Sequence, residues 1–307
     1  MSPPMVLVLR ALGLGDLLTA VPALRGLRRA FPAHRLVLAT PRWLAPLAEP
    51  HVDEVLGHPG LDAPLALPRG MSPDVGVNLH GRGPRSHALL DAVHPVQRIG
   101  HAAPRWAGPR WRDGIADRRR WCDLLDWYGI PADPTDLRLP PPAEPSPLPG
   151  AVIVHPGAGY RAKQWPPTRF AKVARALAAD GHAVVVTGSA AEREPAAQVV
   201  ARAGLPPDAM LAGRTGLNPL AALVRQATVV VSGDTGIAHL AAAYRTPSVV
   251  LYGPVPAAQW GPPPGWPHRA LGADKHRRGD PFATEPDPAL LAVTVAEVLS
   301  AVRRLVA

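Results

Sequence analysis

The chain has 307 residues, 47% of them hydrophobic and one of them cysteine. That length and share suit two packed domains and exclude a mainly disordered chain, and a lone Cys122 excludes a disulfide framework or a multi-cysteine metal site. The formal net charge is +9, carried by three lysines and 30 arginines, while aromatics are only 5%. With no zinc spacing and no basic stripe interleaved with aromatics, the charge argues for anionic small ligands, or peripheral contact with an anionic membrane surface, and against nucleic acid. No run of ~18 apolar residues occurs, and the apolar stretch near the start is broken by Arg10 and Asp16, so neither a membrane span nor a leader is expected and the cytoplasm is the default location.

Met5 to Leu9 (MVLVL) is an apolar run of strand length. A Gly-containing turn follows, then Leu17, Val21, Leu24 and Leu27 recur at helical spacing, which predicts a helix opening near Asp16. Strands are predicted at 35–39 and 74–79, a short helix at 43–48 and a helix at 117–128. Residues 139–150 (LPPPAEPSPLPG) hold six prolines and predict an extended linker. The second half restarts the alternation, with strands at 151–155, 183–187, 228–232 and 248–252. Its helices are expected at 168–179, 191–203, 218–226 with Asn218 as N-cap, and 235–244. Residues 254–288 read as loop and 288–306 as one final helix. Strands alternating with helices in both halves make the fold class α/β, two doubly wound domains.

Ligands of such sheets bind at the carboxyl ends of the strands, and three loops there carry chemistry. In Arg10-Ala11-Leu12-Gly13-Leu14-Gly15-Asp16 the glycines permit a tight turn; Asp16 either caps the helix or serves as a base for a hydroxyl nucleophile. In the loop from His155 to Pro166, glycines expose backbone N–H groups beside Arg161 and Lys163, a chemistry suited to a diphosphate or, equally, to a solvated basic loop. In Ser232-Gly233-Asp234-Thr235-Gly236-Ile237-Ala238-His239 a strand feeds a helix whose first amides attract anions. Asp234 is awkward beside phosphate and reads as an anchor for the loop, and His239 as a packed residue. Glu192, after Gly188-Ser189, is either a ribose-binding carboxylate or a surface glutamate. Trp165, Trp260 and Trp266 lie near these loops and suit either stacking on a ligand or packing. Cys122 beside Trp121 reads as an inert core residue.

Together, Met5 to Leu24, Val152 to Phe170 and Val229 to Pro254 resemble glycosyltransferase family 9, the ADP-heptose:lipopolysaccharide heptosyltransferases. The resemblance implies a GT-B fold, two Rossmann-like domains facing across a cleft. Residues 1–148 would bind the acceptor and 149–307 the nucleotide-sugar donor, the last helix being free to pack back on the first domain. It implies inverting, metal-independent transfer of a sugar from an ADP-sugar co-substrate to a hydroxyl of a glycan, lipid-linked or small-molecule acceptor, with no cofactor. Asp16 matches the family's general base. Lys163 matches its phosphate-binding lysine, and Asp234, Thr235, Gly236 and His239 its nucleotide-lining segment. Glu192 corresponds to the ribose-binding acid, with Glu194 the alternative, and Gly15 and Gly188 complete the donor set. Two other readings remain open: a nucleotide-sugar-binding module without activity, and a sugar-nucleotide epimerase of the same fold.

Overall fold

The computed structural model describes residues 3–68, 71–265 and 267–307. Trp266 therefore lies outside the described residues. Contacts divide the chain into two compact units, Met1–Leu137 and Arg138–Ala307.

The first unit runs β1 (Met5–Leu9), α1 (Leu14–Ala30), β2 (Arg35–Thr40), α2 (Ala45–Ala48), β3 (Glu54–Gly57), β4 (Val75–Asn78), α3 (Arg85–Asp91), β5 (Gln97–Ile99) and α4 (Asp117–Trp127). Its sheet is parallel with order β3-β2-β1-β4-β5. All five residues of β1 are buried because a parallel strand is covered on both faces, which is why the run is apolar without alternation. Met5, Leu7, Leu9, Val37 and Ala39 share one core with Leu65, Leu90 and Trp106. Helix α1 starts at Leu14, two residues before Asp16, with Gly13 as N-cap.

The second unit runs β6 (Val152–His155), α5 (Pro167–Ala179), β7 (Val184–Val186), α6 (Arg193–Ala203), α7 (Leu217–Arg225), β8 (Val229–Gly233), α8 (Gly236–Tyr244), β9 (Ser248–Leu251), α9 (Ala257–Trp260), β10 (His268–Leu271), α10 (Pro288–Leu291) and α11 (Val295–Val306). The parallel order is β10-β9-β8-β6-β7. Val298, Ala301 and Val302 of α11 join the core built on β6, β8 and β9, so this helix is held by its own unit. The proline-rich segment at 139–150 forms no helix or strand; Leu139 N–H bonds Ala243 O and Gly150 N–H bonds Gln226 O.

Four expectations change. The final helix is two, because Thr294 starts a new one: its N–H donates to Glu297 Oε2 at 2.7 Å and its Oγ1 accepts from Glu297 N–H at 3.2 Å. The N-cap of α7 is Gly216, not Asn218, which sits inside the helix. The stretch read as loop at 254–288 contains α9 and the edge strand β10, paired in parallel to β9 from His268↔Ser248 to Leu271↔Leu251. Strands β3 and β5 and helix α3 were not anticipated, being short and only partly buried.

Candidate functional site

In each sheet the strand order reverses once, and the loops after the two strands flanking that point form a ready ligand site. In the second unit these strands are β6 and β8. The loop after β6 carries Lys163, and the loop after β8 carries Asp234. Across 71 residues of sequence, Lys163 Nζ donates to Asp234 Oδ2 at 2.7 Å. The lysine meets the charge of the carboxylate. An ammonium has three N–H donors, so one on Asp234 leaves two for a ligand. Trp260 lies 5.8 Å from Nζ, ring centroid to nitrogen, and 4% of the Asp234 side chain is exposed against 17% of Lys163. Thr235, in extended conformation, holds the N-cap position of α8, whose nine residues begin at Gly236, and the first amides of a helix have no partner within it. Gly233 must be small because a Cβ there would come within 3.1 Å of Lys163 O.

Glu192 closes the other side of the loop after β6. Its Oε2 accepts Ser189 N–H at 2.7 Å. A Cβ on Gly157 would fall 2.2 Å from the Glu192 carboxylate, so glycine is what lets the acid lie over the backbone. Gly188 packs beneath, where a Cβ would meet Ala212 and Glu192 at 3.2 Å. Beneath them His155 is buried with Nδ1 3.0 Å from Thr187 Oγ1 and Nε2 3.9 Å from Glu192 Oε2. Burial lowers its pKa and Glu192 opposes that shift only in part, so the ring is neutral and structural.

In the first unit the reversal lies between β1 and β4. Asp16 stands on the first turn of α1; its Oδ2 accepts Gly13 N–H at 3.2 Å, so the capping reading holds. Its side chain is nevertheless 29% exposed, and a carboxylate has about four lone-pair sites, so capping does not exhaust it. Behind it sits Arg10, 2% exposed. Its guanidinium donates to Asp16 O at 2.9 Å, Leu79 O at 2.6 Å, Asp16 Oδ1 at 3.4 Å, Thr19 Oγ1 at 3.2 Å and Asp117 Oδ2 at 2.7 Å. Asp117 Oδ2 also accepts from Thr19 Oγ1 at 2.7 Å and Trp121 Nε1 at 3.0 Å. Burial alone would raise the Asp117 pKa; Arg10 and these bonds outweigh it and bring it below the ordinary carboxylate value.

The sequence of residues 142–278 matches the profile of glycosyltransferase family 9 (heptosyltransferase). That matched segment lies wholly within the second unit. No curated relative matches the sequence. Among solved structures, a family 9 glycosyltransferase from Veillonella parvula superposes with a TM-score of 0.78 at 19% identity, over 99% of this chain and 97% of that one. The E. coli ADP-heptose lps heptosyltransferase II gives 0.76 at 22% identity, over 98% of each. E. coli heptosyltransferase WaaC with ADP-2-deoxy-2-fluoro heptose gives 0.68 at 18% identity, over 98% and 99%. These likenesses make the fold GT-B, two Rossmann-like units.

The second unit gathers Lys163, Gly188, Glu192, Asp234, Thr235 and Gly236 on the carboxyl side of its sheet. Glu194 instead accepts Gln198 Nε2 at 3.0 Å on the exposed face of α6, which separates it from Glu192. His239, one turn into α8, has its ring 5.7 Å from that of Trp260. Gly15 lies in the first turn of α1, beside Asp16 in the first unit. Trp165 is core: fully buried, its Nε1 bonds Val293 O at 3.2 Å and its ring meets Phe170 edge-on at 4.9 Å. Cys122 is buried and its thiol is pushed up to about 12 by burial, an inert residue. The sequence reading missed Arg10, Thr19 and Asp117 as a unit. An arginine ending a buried apolar strand was the available signal, since such a charge needs a partner. No helix among the described residues is long and apolar enough to cross a membrane.

Proposed function

We propose that the protein transfers a sugar, heptose by analogy with its family, from an ADP-sugar to a hydroxyl of a glycan, lipid-linked or small-molecule acceptor, in the cytoplasm, with inversion and without a metal. The observation that carries this reading is the Lys163–Asp234 pair at the N-terminus of α8, opposite Glu192 over Gly157. It supplies a cation, free helix amides and a carboxylate, the set a nucleoside diphosphate requires for its phosphates and ribose hydroxyls. The binding of an ADP-heptose analogue by WaaC, of the same fold, supports the donor class.

In the reaction the acceptor oxygen attacks the anomeric carbon on the face opposite the diphosphate. The new C–O bond forms as the bond to the β-phosphate oxygen breaks; Asp16 takes the hydroxyl proton and ADP leaves with the electron pair. Lys163 and the amides of Gly236 and Ile237 stabilise the charge that grows on the leaving oxygen. Asp234 and Arg10 act on Lys163 and Asp16 respectively, holding them in place.

Calorimetric titration with ADP, UDP, GDP and dTDP tests the donor half. ADP should bind selectively. Lys163→Ala should weaken it by about tenfold or more, since it removes a charge-assisted bond and leaves the Asp234 carboxylate facing phosphate. Preference for another nucleotide overturns the donor assignment; binding of none overturns the transferase reading. Transfer that survives a chelator supports metal independence, and its loss refutes it.

A further inference from the structure

The Arg10 guanidinium is held from several sides. Nε donates to Asp16 O at 2.9 Å and Nη1 to Leu79 O at 2.6 Å, while Cζ lies 4.7 Å from the centre of the Trp121 ring. Nη2 is left between two carboxylates, 2.7 Å from Asp117 Oδ2 and 3.4 Å from Asp16 Oδ1. A bond between such a cation and a carboxylate closes to about 2.7–2.9 Å. The contact with Asp117 is therefore fully made and the one with Asp16 is not. The same oxygen of Asp117 takes the Thr19 hydroxyl at 2.7 Å and Trp121 Nε1 at 3.0 Å, which fixes the acid where it meets the arginine. The Asp117 side chain is 12% exposed and that of Asp16 29%. The buried acid takes the cation, and the accessible acid keeps its own charge. Two further titratable groups face this cluster. Arg120 Nε is 3.9 Å from Asp117 Oδ1, and His80 is neutral, held at about 4 by burial, Arg10 and His58.

We propose that Asp117 is a positioning residue for the base and acts through Arg10: it holds the guanidinium off the Asp16 carboxylate, so that Arg10 braces Asp16 by its backbone oxygen without neutralising the oxygens that take the proton. The base role of Asp16 itself rests on the transferase reading above. The arrangement resolves a conflict. A base needs a firm mount, and the rigid group beside Asp16 is a cation. A cation free to pair with the carboxylate would stabilise its ionised form and make it a poorer proton acceptor. Pairing that cation with a second, buried acid keeps the mount and avoids the neutralisation. Asp117 stays ionised for this task, since Arg10 and the bonds from Thr19 and Trp121 outweigh its burial. Once the Asp117 charge is removed, the Asp16 carboxylate 3.4 Å away is the remaining ionic partner of Nη2, and the guanidinium closes on it. A change 107 residues from Arg10 in sequence thereby reaches the base.

The test follows the Asp16 carboxyl directly, by carbon-13 NMR titration of the full chain labelled at its aspartate carboxyls. The Asp16 signal is identified by its loss in Asp16→Asn. In Asp117→Asn the Asp16 midpoint should move to lower pH, because the freed guanidinium favours the ionised form. In the double variant Asp117→Asn with Arg10→Met, neutral groups replace the buried pair, an exchange that folds commonly tolerate. Its Asp16 midpoint should return to the wild-type value or exceed it. An Asp117 that only stabilises the fold would move neither. With ADP-heptose in a donor-consumption assay, Asp117→Asn should lower kcat about tenfold or more, part of what a general base contributes, at unchanged KM and ADP affinity. The double variant should recover part of that loss. The inference is overturned by an Asp16 midpoint that stays or rises in Asp117→Asn, by a midpoint below wild type in the double variant, or by equal turnover of wild type and Asp117→Asn. ADP titration of the same samples separates the two readings. Midpoints that move as expected in a chain that binds no nucleotide refute the transferase reading alone, and ADP binding with an unmoved Asp16 refutes the role of Asp117 alone.

Discussion

Asp117 is the residue whose removal tests the architecture behind Asp16 most directly. One oxygen, Oδ2, accepts from Arg10 at 2.7 Å, Thr19 at 2.7 Å and Trp121 at 3.0 Å, in a site where the arginine is 2% exposed. Asp117→Ala leaves Arg10 with only the longer 3.4 Å contact to Asp16 as an ionic partner, and breaking a buried pair from one side costs about 3–5 kcal/mol. Asp117→Asn can keep an oxygen in the same place and loses only charge; the difference between charged and neutral bonds puts its cost at about 1–2 kcal/mol. Urea unfolding of the full chain, followed by tryptophan fluorescence and far-ultraviolet dichroism, reads both from the transition of the first unit. The pH dependence adds a sign. The folded carboxyl lies below its ordinary value of 3.8, so its contribution is complete above about pH 4 and is lost as pH falls through the depressed folded value. The gap between wild type and Asp117→Asn should therefore close on acidification. Equal stabilities of wild type and Asp117→Ala, or a gap that widens toward acid, would refute the reasoning.

The remaining predictions concern the two half-sites and the core. Asp16→Asn keeps the acceptor for Gly13 N–H and so the helix cap, but removes the base; transfer should fall by about 10²–10⁴-fold in a donor-consumption assay with nucleotide affinity intact, and equal turnover would end its assignment. Gly157→Ala should push the Glu192 carboxylate aside, because its Cβ would lie 2.2 Å away. ADP binding should then weaken to the same degree as in Glu192→Ala, about tenfold, with the double variant no worse than either. Trp165→Ala removes a fully buried ring and its bond to Val293, and calorimetric melting should show the second unit destabilised by about 3–5 kcal/mol. Retention of its melting temperature would mean that the ring is not core.

Much of the fold was legible along the chain, and the reason is local. Strands β1, β2, β4 and β6 to β9 are covered on both faces, so their central positions are apolar without alternation, and glycines mark the turns that follow all of them but β2. The loops carrying Asp16, Lys163 and Asp234 could be placed at strand ends from that alternation, and their resemblance to one family supplied roles. Partly exposed edge strands escaped it, unlike the buried edge strand β7. Strand β10 has a single neighbour and partly exposed residues, so HRAL within a proline-rich stretch carries no hydrophobic signature. What only the tertiary structure decided is pairing and burial. Lys163 meets Asp234 across 71 residues and Arg10 meets Asp117 across 107. Trp165 turned inward while Glu192 stayed at the loop. Hydrophobic patterning encodes which face of an element is dry, since each residue carries that preference itself. Which charge answers another is a property of two residues at once, and it exists only when the sheet has brought them within reach.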